Sequence, residues 1–128
     1  MLFSLFLFTG CQKWDYTYFN DVQPVLVWAE DIGTAGFHIY WTESSDPYFD
    51  HYSVLMRKLN DSFYYSRGES YHEGPETQTI RTTKDRSETV GTIQNLDPGT
   101  NYYFVIRVYT VYDTYADSNI LHVTTLSE

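Results

Sequence analysis

The side chains best suited to acid–base or metal chemistry are four histidines: His38, His51, His72 and His122. No two of them have the roughly three- to five-residue spacing of common zinc ligands, so we expect no metal site and no cofactor. His72 and Glu73 are adjacent, but no nucleophile motif such as Gly-x-Ser-x-Gly accompanies them. A small hydrolase using this pair is a distant alternative, and we expect a protein that is not an enzyme.

A second group of possible metal ligands consists of oxygen donors near the end of the chain. Asp113, Asp117 and Asn119 share one predicted loop, and calcium prefers ligands of this kind. Their spacing does not match an EF-hand loop. Calcium binding therefore remains a minor alternative to a solvated acidic loop.

The single cysteine of the chain, Cys11, excludes an intrachain disulfide and a site with several cysteine ligands. It follows an apolar run from Met1 to Phe8 and the small residues Thr9 and Gly10. This run is too short to cross a bilayer, which takes about 20 apolar residues. It suits the apolar region of a secretion signal instead.

The order of residues from Phe8 to Cys11, Phe-Thr-Gly-Cys, resembles the bacterial lipobox. The resemblance implies a signal peptide at residues 1–10, cleavage before Cys11 and lipid attachment to the cysteine sulfur. Residues 11–21, which have no clean period but several aromatic side chains, would then form a tether. The alternative is a buried first strand over residues 1–11, in which the cysteine is incidental.

Size and charge narrow the remaining classes of function. A chain of 128 residues suits one domain, and its composition is that of a globular protein. The formal net charge of -9 argues against nucleic-acid binding, which requires clustered Lys and Arg. It also argues against electrostatic docking on anionic lipid.

The elements that position all these residues are predicted to be strands. From Pro24 onward the apolar residues recur with a period of two, and no segment suggests an amphipathic helix. We therefore predict an all-β fold with short strands near residues 25–28, 90–96 and 121–123. Arg107 predicts a wetter outer face for its strand. Three longer strands have the predicted inward-facing side chains Phe37, Ile39, Trp41, Tyr52, Val54, Met56, Tyr102, Phe104, Ile106 and Val108.

Turn signals separate these strands, and the most specific one is the segment Leu96-Asp-Pro-Gly-Thr-Asn-Tyr102. This segment, with the strand that ends in Trp41, resembles the fibronectin type III family. The resemblance implies an immunoglobulin-like β-sandwich of about seven antiparallel strands over residues 22–126. It also implies a tyrosine corner, in which the Tyr102 hydroxyl bonds to backbone upstream. The structural residues are thus Trp41, Leu96, Pro98 and Tyr102.

The stretch from Lys58 to Thr89 departs from the family pattern because it is longer than the pattern requires. Two runs within it, Phe63–Tyr65 and Thr77–Thr82, both suit a strand where one is expected. A different immunoglobulin-like topology is the alternative.

Candidate binding residues follow from the fold that the resemblance implies. Its loops after the second, fourth and sixth strands gather at one pole, and here they correspond to residues 42–50, 67–87 and 110–118. Tyrosine beside short polar residues is typical of adaptable recognition surfaces, and aromatic rings beside carboxylates suit sugars. The candidates are Tyr48, Phe49, Tyr71, Tyr112, Asp113 and Tyr115.

These observations together predict a lipid-anchored, non-catalytic binding or adhesion module of the cell envelope. We expect it at the outer membrane or cell surface, held to the membrane through Cys11. Its partner is expected to be a protein or glycan and not a nucleic acid. The alternative is a structural spacer or an accessory subunit of an envelope complex, for which the fold offers only analogy.

Overall fold

The computed structural model describes residues 22–59 and 77–128. Within these two ranges all regular secondary structure is antiparallel β-strand. The strands are β1 (Val27–Glu30), β2 (Phe37–Trp41), β3 (Phe49–Leu59), β4 (Gln78–Thr83), β5 (Val90–Ile93), β6 (Asn101–Thr110), β7 (Tyr115–Asp117) and β8 (Leu121–Thr124). The same residues contain no helix that is long and apolar enough to cross a membrane.

The strands form a two-layer sandwich, which confirms the predicted fold class. The small sheet has the order β1-β2-β5, and the large sheet has the order β4-β3-β6. Strands β7 and β8 both pair with β6, β7 beside residues 107–109 and β8 beside residues 101–104. The final strand of the expected seven is therefore split in two, which gives eight.

The split in the final strand has a clear cause at Ser118 and Asn119. The Ser118 hydroxyl accepts a hydrogen bond from the Ile106 amide at 2.9 Å, where a strand carbonyl would ordinarily accept. The Asn119 side chain turns toward the other sheet: its oxygen accepts from the Val27 amide, and its nitrogen donates to the Val27 carbonyl. These bonds tie the large sheet to β1 and interrupt the ladder with β6.

The position of the fourth strand partly answers which run between residues 58 and 89 forms the expected strand. Strand β4 lies at the second of the two predicted runs, while Phe63–Tyr65 falls outside the described residues. It pairs with β3 and not with β5. Constant-type immunoglobulin domains instead place four strands in the sheet that contains the first strand, so the observed order favours the fibronectin type III arrangement.

The core lies between the sheets and consists of the side chains that alternation predicted. Trp41 and Tyr52 make an edge-to-face contact with ring centroids 5.5 Å apart, and Phe37 and Phe104 make a second at 5.0 Å. Of the predicted inward set, Met56 alone is half-buried. The fully or nearly fully buried members are Phe37, Ile39, Trp41, Tyr52, Val54, Tyr102, Phe104, Ile106 and Val108.

The predicted tyrosine corner is present between β5 and β6. The Tyr102 hydroxyl accepts a hydrogen bond from the Asp97 amide at 2.9 Å, and Leu96 is buried beneath it. Gly99 has φ of +58°, a conformation that favours glycine. Pro98 is exposed, so it belongs to the turn and not to the core.

One prediction about β6 is wrong: its outer face is not wet. Tyr103, Val105 and Arg107 are all buried on that face. Arg107 donates from Nε and Nη2 to the two carboxylate oxygens of Asp117, at 2.7 and 3.1 Å, and its guanidinium lies 4.0 Å from the Tyr115 ring centroid. A paired and stacked arginine tolerates burial that an isolated one does not.

Candidate functional site

Three loops meet at one end of the sandwich, which we call the loop pole (residues 42–48, 84–89 and 111–114). The first two are joined by Tyr52, whose hydroxyl accepts from the Ser44 amide and donates to the Arg86 carbonyl, both at 2.8 Å. Arg86 Nη1 donates in return to the carbonyls of Ser44 and Asp46, at 2.9 Å each. The two loops are thus braced by charged and buried hydrogen bonds.

The third loop joins the first through Tyr48. The Val111 amide donates to the Tyr48 carbonyl at 2.9 Å, and the rings of Tyr48 and Tyr112 pack with centroids 5.2 Å apart. Asp46, which is buried, accepts from the Tyr48 amide at 2.9 Å and fixes the start of this contact. Tyr48 nevertheless remains 37% exposed and Tyr112 50% exposed. The loop pole therefore presents two aromatic rings on a backbone that is held in place.

The other candidate residues lie in different surroundings. Asp113 is exposed beside Tyr112, with φ of +67° at the tip of the β6–β7 turn. Phe49 is half-buried, with its ring 4.6 Å from that of Tyr52 and the Arg86 guanidinium 5.0 Å away. It therefore covers the edge of the core. Tyr71 falls outside the described residues.

Tyr115 does not lie with the Tyr48 and Tyr112 pair but on the outer face of the large sheet. It pairs across strands with Tyr109, which pairs in turn with His51. The His51 and Tyr109 rings stack at 4.4 Å, and those of Tyr109 and Tyr115 lie 5.6 Å apart. Sequence reasoning missed His51 and Tyr109 as members of this aromatic row (His51, Tyr109, Tyr115). His51 lies two residues before Ser53, and Tyr109 two residues after Arg107, so each shares the outward face of its strand. That alternation was the available signal.

Charges around the aromatic row are locally compensated. The Asp50 carboxylate lies 2.7 Å from His51 Nδ1 and 3.4 Å from Lys84 Nζ. The hydrogen bond from His51, with the nearby Lys84 ammonium, holds the pKa of the Asp50 carboxyl below its ordinary value. The side-chain and backbone hydrogen bonds from Ser87 likewise lower the pKa of Asp85 in the second loop. Asp85 in the loop pole and Asp50 beside the aromatic row are therefore both ionised at neutral pH.

The oxygen donors considered for calcium are engaged elsewhere. Asp117 lies in β7 and binds Arg107, while the Asn119 side chain binds the Val27 backbone. The prediction that Asp117 and Asn119 share one loop with Asp113 is therefore wrong. In residues 22–59 and 77–128 no three histidine, cysteine or carboxylate side chains are placed to hold a metal ion. His72 and Glu73 fall outside those ranges.

Two open clefts lie away from the loop pole. One, of about 410 Å³, is lined by residues 31, 35–38 and 92–95. The other, of about 390 Å³, opens between β4 and β5 beside Met56, Ile80 and Arg81. Neither includes a residue of the loop pole, where the rings of Tyr48 and Tyr112 are partly exposed. Such a surface suits recognition of an extended partner better than enclosure of a small molecule.

Sequence comparison decides the family. The profile of the fibronectin type III domain matches residues 22–124. The chain belongs to the fibronectin type III domain family. No curated protein sequence matches the chain. Fibronectin type III domains are used as binding or spacer modules, so the family by itself leaves the choice between these two open.

Solved structures agree with this fibronectin type III assignment at the level of the fold. The FN1–FN3 domains of chicken CNTN1 align with a TM-score of 0.65 at 13% identity, over 84% of this chain and 33% of that one. This chain thus spans about a third of that structure. A redesigned β-sandwich protein aligns with a TM-score of 0.64 at 21% identity, over 84% and 98% of the two chains.

A bacterial domain shows the same fibronectin type III-like fold. The sensor domain of the anti-sigma factor RsgI4 in Pseudobacteroides cellulosolvens aligns with a TM-score of 0.52 at 18% identity. The alignment covers 84% of this chain and 100% of that domain. Identities this low establish a common fold and leave the ligand to be argued from the surface.

Proposed function

We propose that this protein is a lipid-anchored, non-catalytic binding module of the cell envelope that recognises a protein or glycan through its loop pole. The observation that carries the proposal is the pair Tyr48 and Tyr112, whose rings are packed together and still partly exposed. Because their loops are already braced, binding would order few additional groups. Rigid, exposed aromatic residues give contact area at low entropic cost.

The chemistry of the loop pole favours a neutral or basic partner surface. Asp113 is exposed beside Tyr112. Asp85 in the second loop and Asp50, just after the first loop, have lowered pKa values, so both are ionised at neutral pH. Tyrosine rings stack on the apolar face of a sugar, and carboxylates accept hydrogen bonds from its hydroxyl groups. The same groups bind Lys, Arg and aromatic side chains of a protein.

The anchor in this proposal is lipid on Cys11, supported by the apolar run and by the Phe-Thr-Gly-Cys order before it. The chain reaches the sandwich at the loop pole, since the Leu26 amide and carbonyl both bond to Thr42. Ten fully extended residues, 12–21, reach about 33–36 Å. A ligand bound at the loop pole would therefore lie near the membrane, which favours a component of the same envelope.

A structural spacer is the second candidate, and the positions of the two chain ends favour it. Leu26 lies at the loop pole, whereas the Leu126 amide donates to the Gly33 carbonyl at the opposite pole. Chain that arrives at one end and leaves from the other suits a module that holds neighbours apart.

Removal of the exposed rings distinguishes a binding module from a structural spacer, because only the binding module requires them. Full-length Tyr48→Ala/Tyr112→Ala chain would be applied to an oligosaccharide array and cross-linked in cells to envelope proteins. Trp28→Ala is the matched control, because Trp28 is 42% exposed on the outer face of the small sheet. We expect about a tenfold loss of binding, or 1.4 kcal/mol, for the double variant alone. Unchanged binding and cross-linking in a folded double variant would refute the loop pole as the binding surface.

A further inference from the structure

Strand β5 is an edge strand of the small sheet, and half of its backbone groups point away from that sheet. Among the described strands it pairs with β2 alone, and the Trp41 amide donates to the Thr89 carbonyl at 2.9 Å just before β5 begins. Hydrogen-bonded and non-hydrogen-bonded residues alternate along an antiparallel pair. Gly91 therefore bonds to β2, whereas the amide and carbonyl groups of Val90 and Thr92 point toward the free side of the strand.

The outward backbone groups of Val90 and Thr92 are open to water. In residues 22–59 and 77–128 no other backbone group is paired with them. Val90 is 46% exposed, and Thr92 is exposed as well. A row of unpaired amides and carbonyls along a strand edge is a template on which another strand can pair.

Other edges of the sandwich are protected against such pairing. The Asn119 side chain bonds to both backbone groups of Val27 at the edge of β1. A register shift interrupts the pairing of β4 with β3, and Arg81 places a charge on β4. Bulges and charges of this kind protect natural sheet edges. Strand β5, with the sequence Val-Gly-Thr-Ile, has no charged residue, and the nearby Glu88 is neutralised by its ion pair with Arg81.

We propose that β5 pairs with β5 of a second copy of this chain, antiparallel and about a two-fold axis at Gly91. This register sets Val90 opposite Thr92 of the second copy, and Thr92 opposite Val90 of the second copy. Because both residues direct their amides and carbonyls across the interface, each pair exchanges two hydrogen bonds and no outward group of either residue is left over. A shift by one residue would set outward groups against Gly91, whose own groups bond to β2. The two three-stranded sheets would thus join into one continuous sheet.

The side chains at the proposed interface are compatible with this register. On the outer face, Val90 would lie beside Thr92 of the second copy, and β-branched residues suit a pleated sheet. On the inner face, Gly91 would meet Gly91 of the second copy, so that no side chain obstructs the axis. Because the strand is only four residues long, we expect a weak dimer whose population depends on concentration.

The charge of the chain opposes this association from a distance and not at the edge itself. Each copy has a formal net charge of -9, although β5 contributes nothing to it. Added salt screens the repulsion between two acidic molecules, so the dimer should become tighter as ionic strength rises. A basic peptide held on the same edge by charge would instead be released. A dimer that dissociates on addition of salt would therefore contradict this pairing.

Dimerisation goes beyond the binding function proposed above, and it does not require lipid at Cys11. Because the two β5 strands run antiparallel, the loop poles of the two copies point in opposite directions. A dimer therefore presents two loop poles and can join two partner molecules. In an anchored dimer the strands would lie along the membrane, so that both chain starts reach it.

Sedimentation equilibrium of the full-length Cys11→Ser chain, from about 1 μM to 1 mM, tests the pairing. Thr92→Pro removes an amide hydrogen that points away from β2, at a position where an edge strand tolerates proline. Thr92→Val is the matched control, because it keeps the amide. We expect the Thr92→Val chain to dimerise like its parent and the Thr92→Pro chain to associate about tenfold more weakly. A parent chain that stays monomeric throughout would overturn the proposal and leave the edge to a strand of another protein.

A cross-link protects the test against a proline variant that fails to fold. At the proposed axis the two Gly91 Cα atoms would lie about 4.5 Å apart, as in a non-hydrogen-bonded pair, which is within disulfide range. A Cβ atom at Gly91 meets its nearest atom, Ile39 Cγ2, at an ordinary 3.5 Å, so the fold admits a cysteine there.

The Cys11→Ser/Gly91→Cys chain should become mostly disulfide-linked dimer under mild oxidation. The control is Cys11→Ser/Val111→Cys, because Val111 is 58% exposed at the loop pole and its cysteine can meet another only by collision. We expect little dimer from this control. Equal cross-linking of the two chains, or none through Gly91→Cys, would overturn the proposal.

Discussion

The hydroxyl of Tyr102 accepts a hydrogen bond from the backbone amide of Asp97, five residues earlier, at 2.9 Å. The same turn is held from the other side by Thr125, whose hydroxyl donates to the Asp97 carbonyl at 2.6 Å. The backbone amide and the backbone carbonyl of Asp97 are thus both satisfied, by side chains from two different parts of the chain. The corner closes the end of the sandwich opposite the loop pole.

Replacement of Tyr102 by phenylalanine should destabilise the fold by about 1–3 kcal/mol, because the Asp97 amide loses its acceptor while the ring stays in the core. Urea denaturation of both chains measures this difference. Tyr103→Phe is a useful comparison, since it removes a tyrosine hydroxyl next to the corner but outside it. A midpoint that does not move in Tyr102→Phe would count against the structural role of the corner.

Replacement of Trp41 by alanine should cost about 3–5 kcal/mol, because it empties the centre of the core. Trp41 is 2% exposed and its Nε1 makes no hydrogen bond to the described residues. Trp41→Phe should therefore cost clearly less than Trp41→Ala, since it restores most of the apolar contact without losing a bond. Equal losses in the two variants would show that the ring volume is not what stabilises this site.

Gly36 has no room for a side chain. A Cβ atom there would lie 2.0 Å from the Ile93 carbonyl oxygen, so backbone must shift to admit it. We expect Gly36→Ala to destabilise the protein by about 1–3 kcal/mol, the usual cost of overpacking. Gly33→Ala, three residues away, meets its nearest atom at an ordinary 3.6 Å. Thermal melts of the two variants should differ accordingly, and matching melts would contradict this account.

Tyr52 makes the stability of the loop pole sensitive to alkaline pH. Burial raises the pKa of its hydroxyl, so the folded state resists ionisation that the unfolded state undergoes at about pH 10. The contribution of Tyr52 is complete below that pH and is lost as pH rises through the higher folded pKa. Tyr52→Phe should be less stable than the native chain at neutral pH, but its free energy of unfolding should fall less between about pH 9 and 11. Parallel stability curves across that range would refute this role.

Alternation and one turn motif were sufficient to predict most of the fold. Phe37, Ile39 and Trp41 alternate cleanly because one face of β2 meets the core and the other meets water. The residues from Leu96 to Tyr102 form a local hydrogen bond, from the Asp97 amide to the Tyr102 hydroxyl, and a motif this short is recognisable in a single sequence. Local signals of this kind do not depend on where the rest of the chain goes.

Features that join distant residues were not predictable. Arg107 suggested a wet face, but Asp117 and Tyr115 on the neighbouring strand satisfy it in place. The sequence predicts a loop for the stretch that contains them, because its Asp and Ser residues are common in turns. At the loop pole, the sequence predicted Tyr48 and Tyr112 as binding residues. It did not predict the contact between their rings, because positions 48 and 112 lie 64 residues apart on different loops.

The proposed lipid anchor at Cys11 is the most direct point at which to test the proposed function. Bacterial cells producing the native chain or Cys11→Ser would be fractionated, and intact cells treated with protease. We predict that the native chain sediments with membranes and that Cys11→Ser is released as a folded, soluble protein. Native chain that is soluble to the same extent as Cys11→Ser would contradict the lipid anchor and, with it, the envelope-bound binding module.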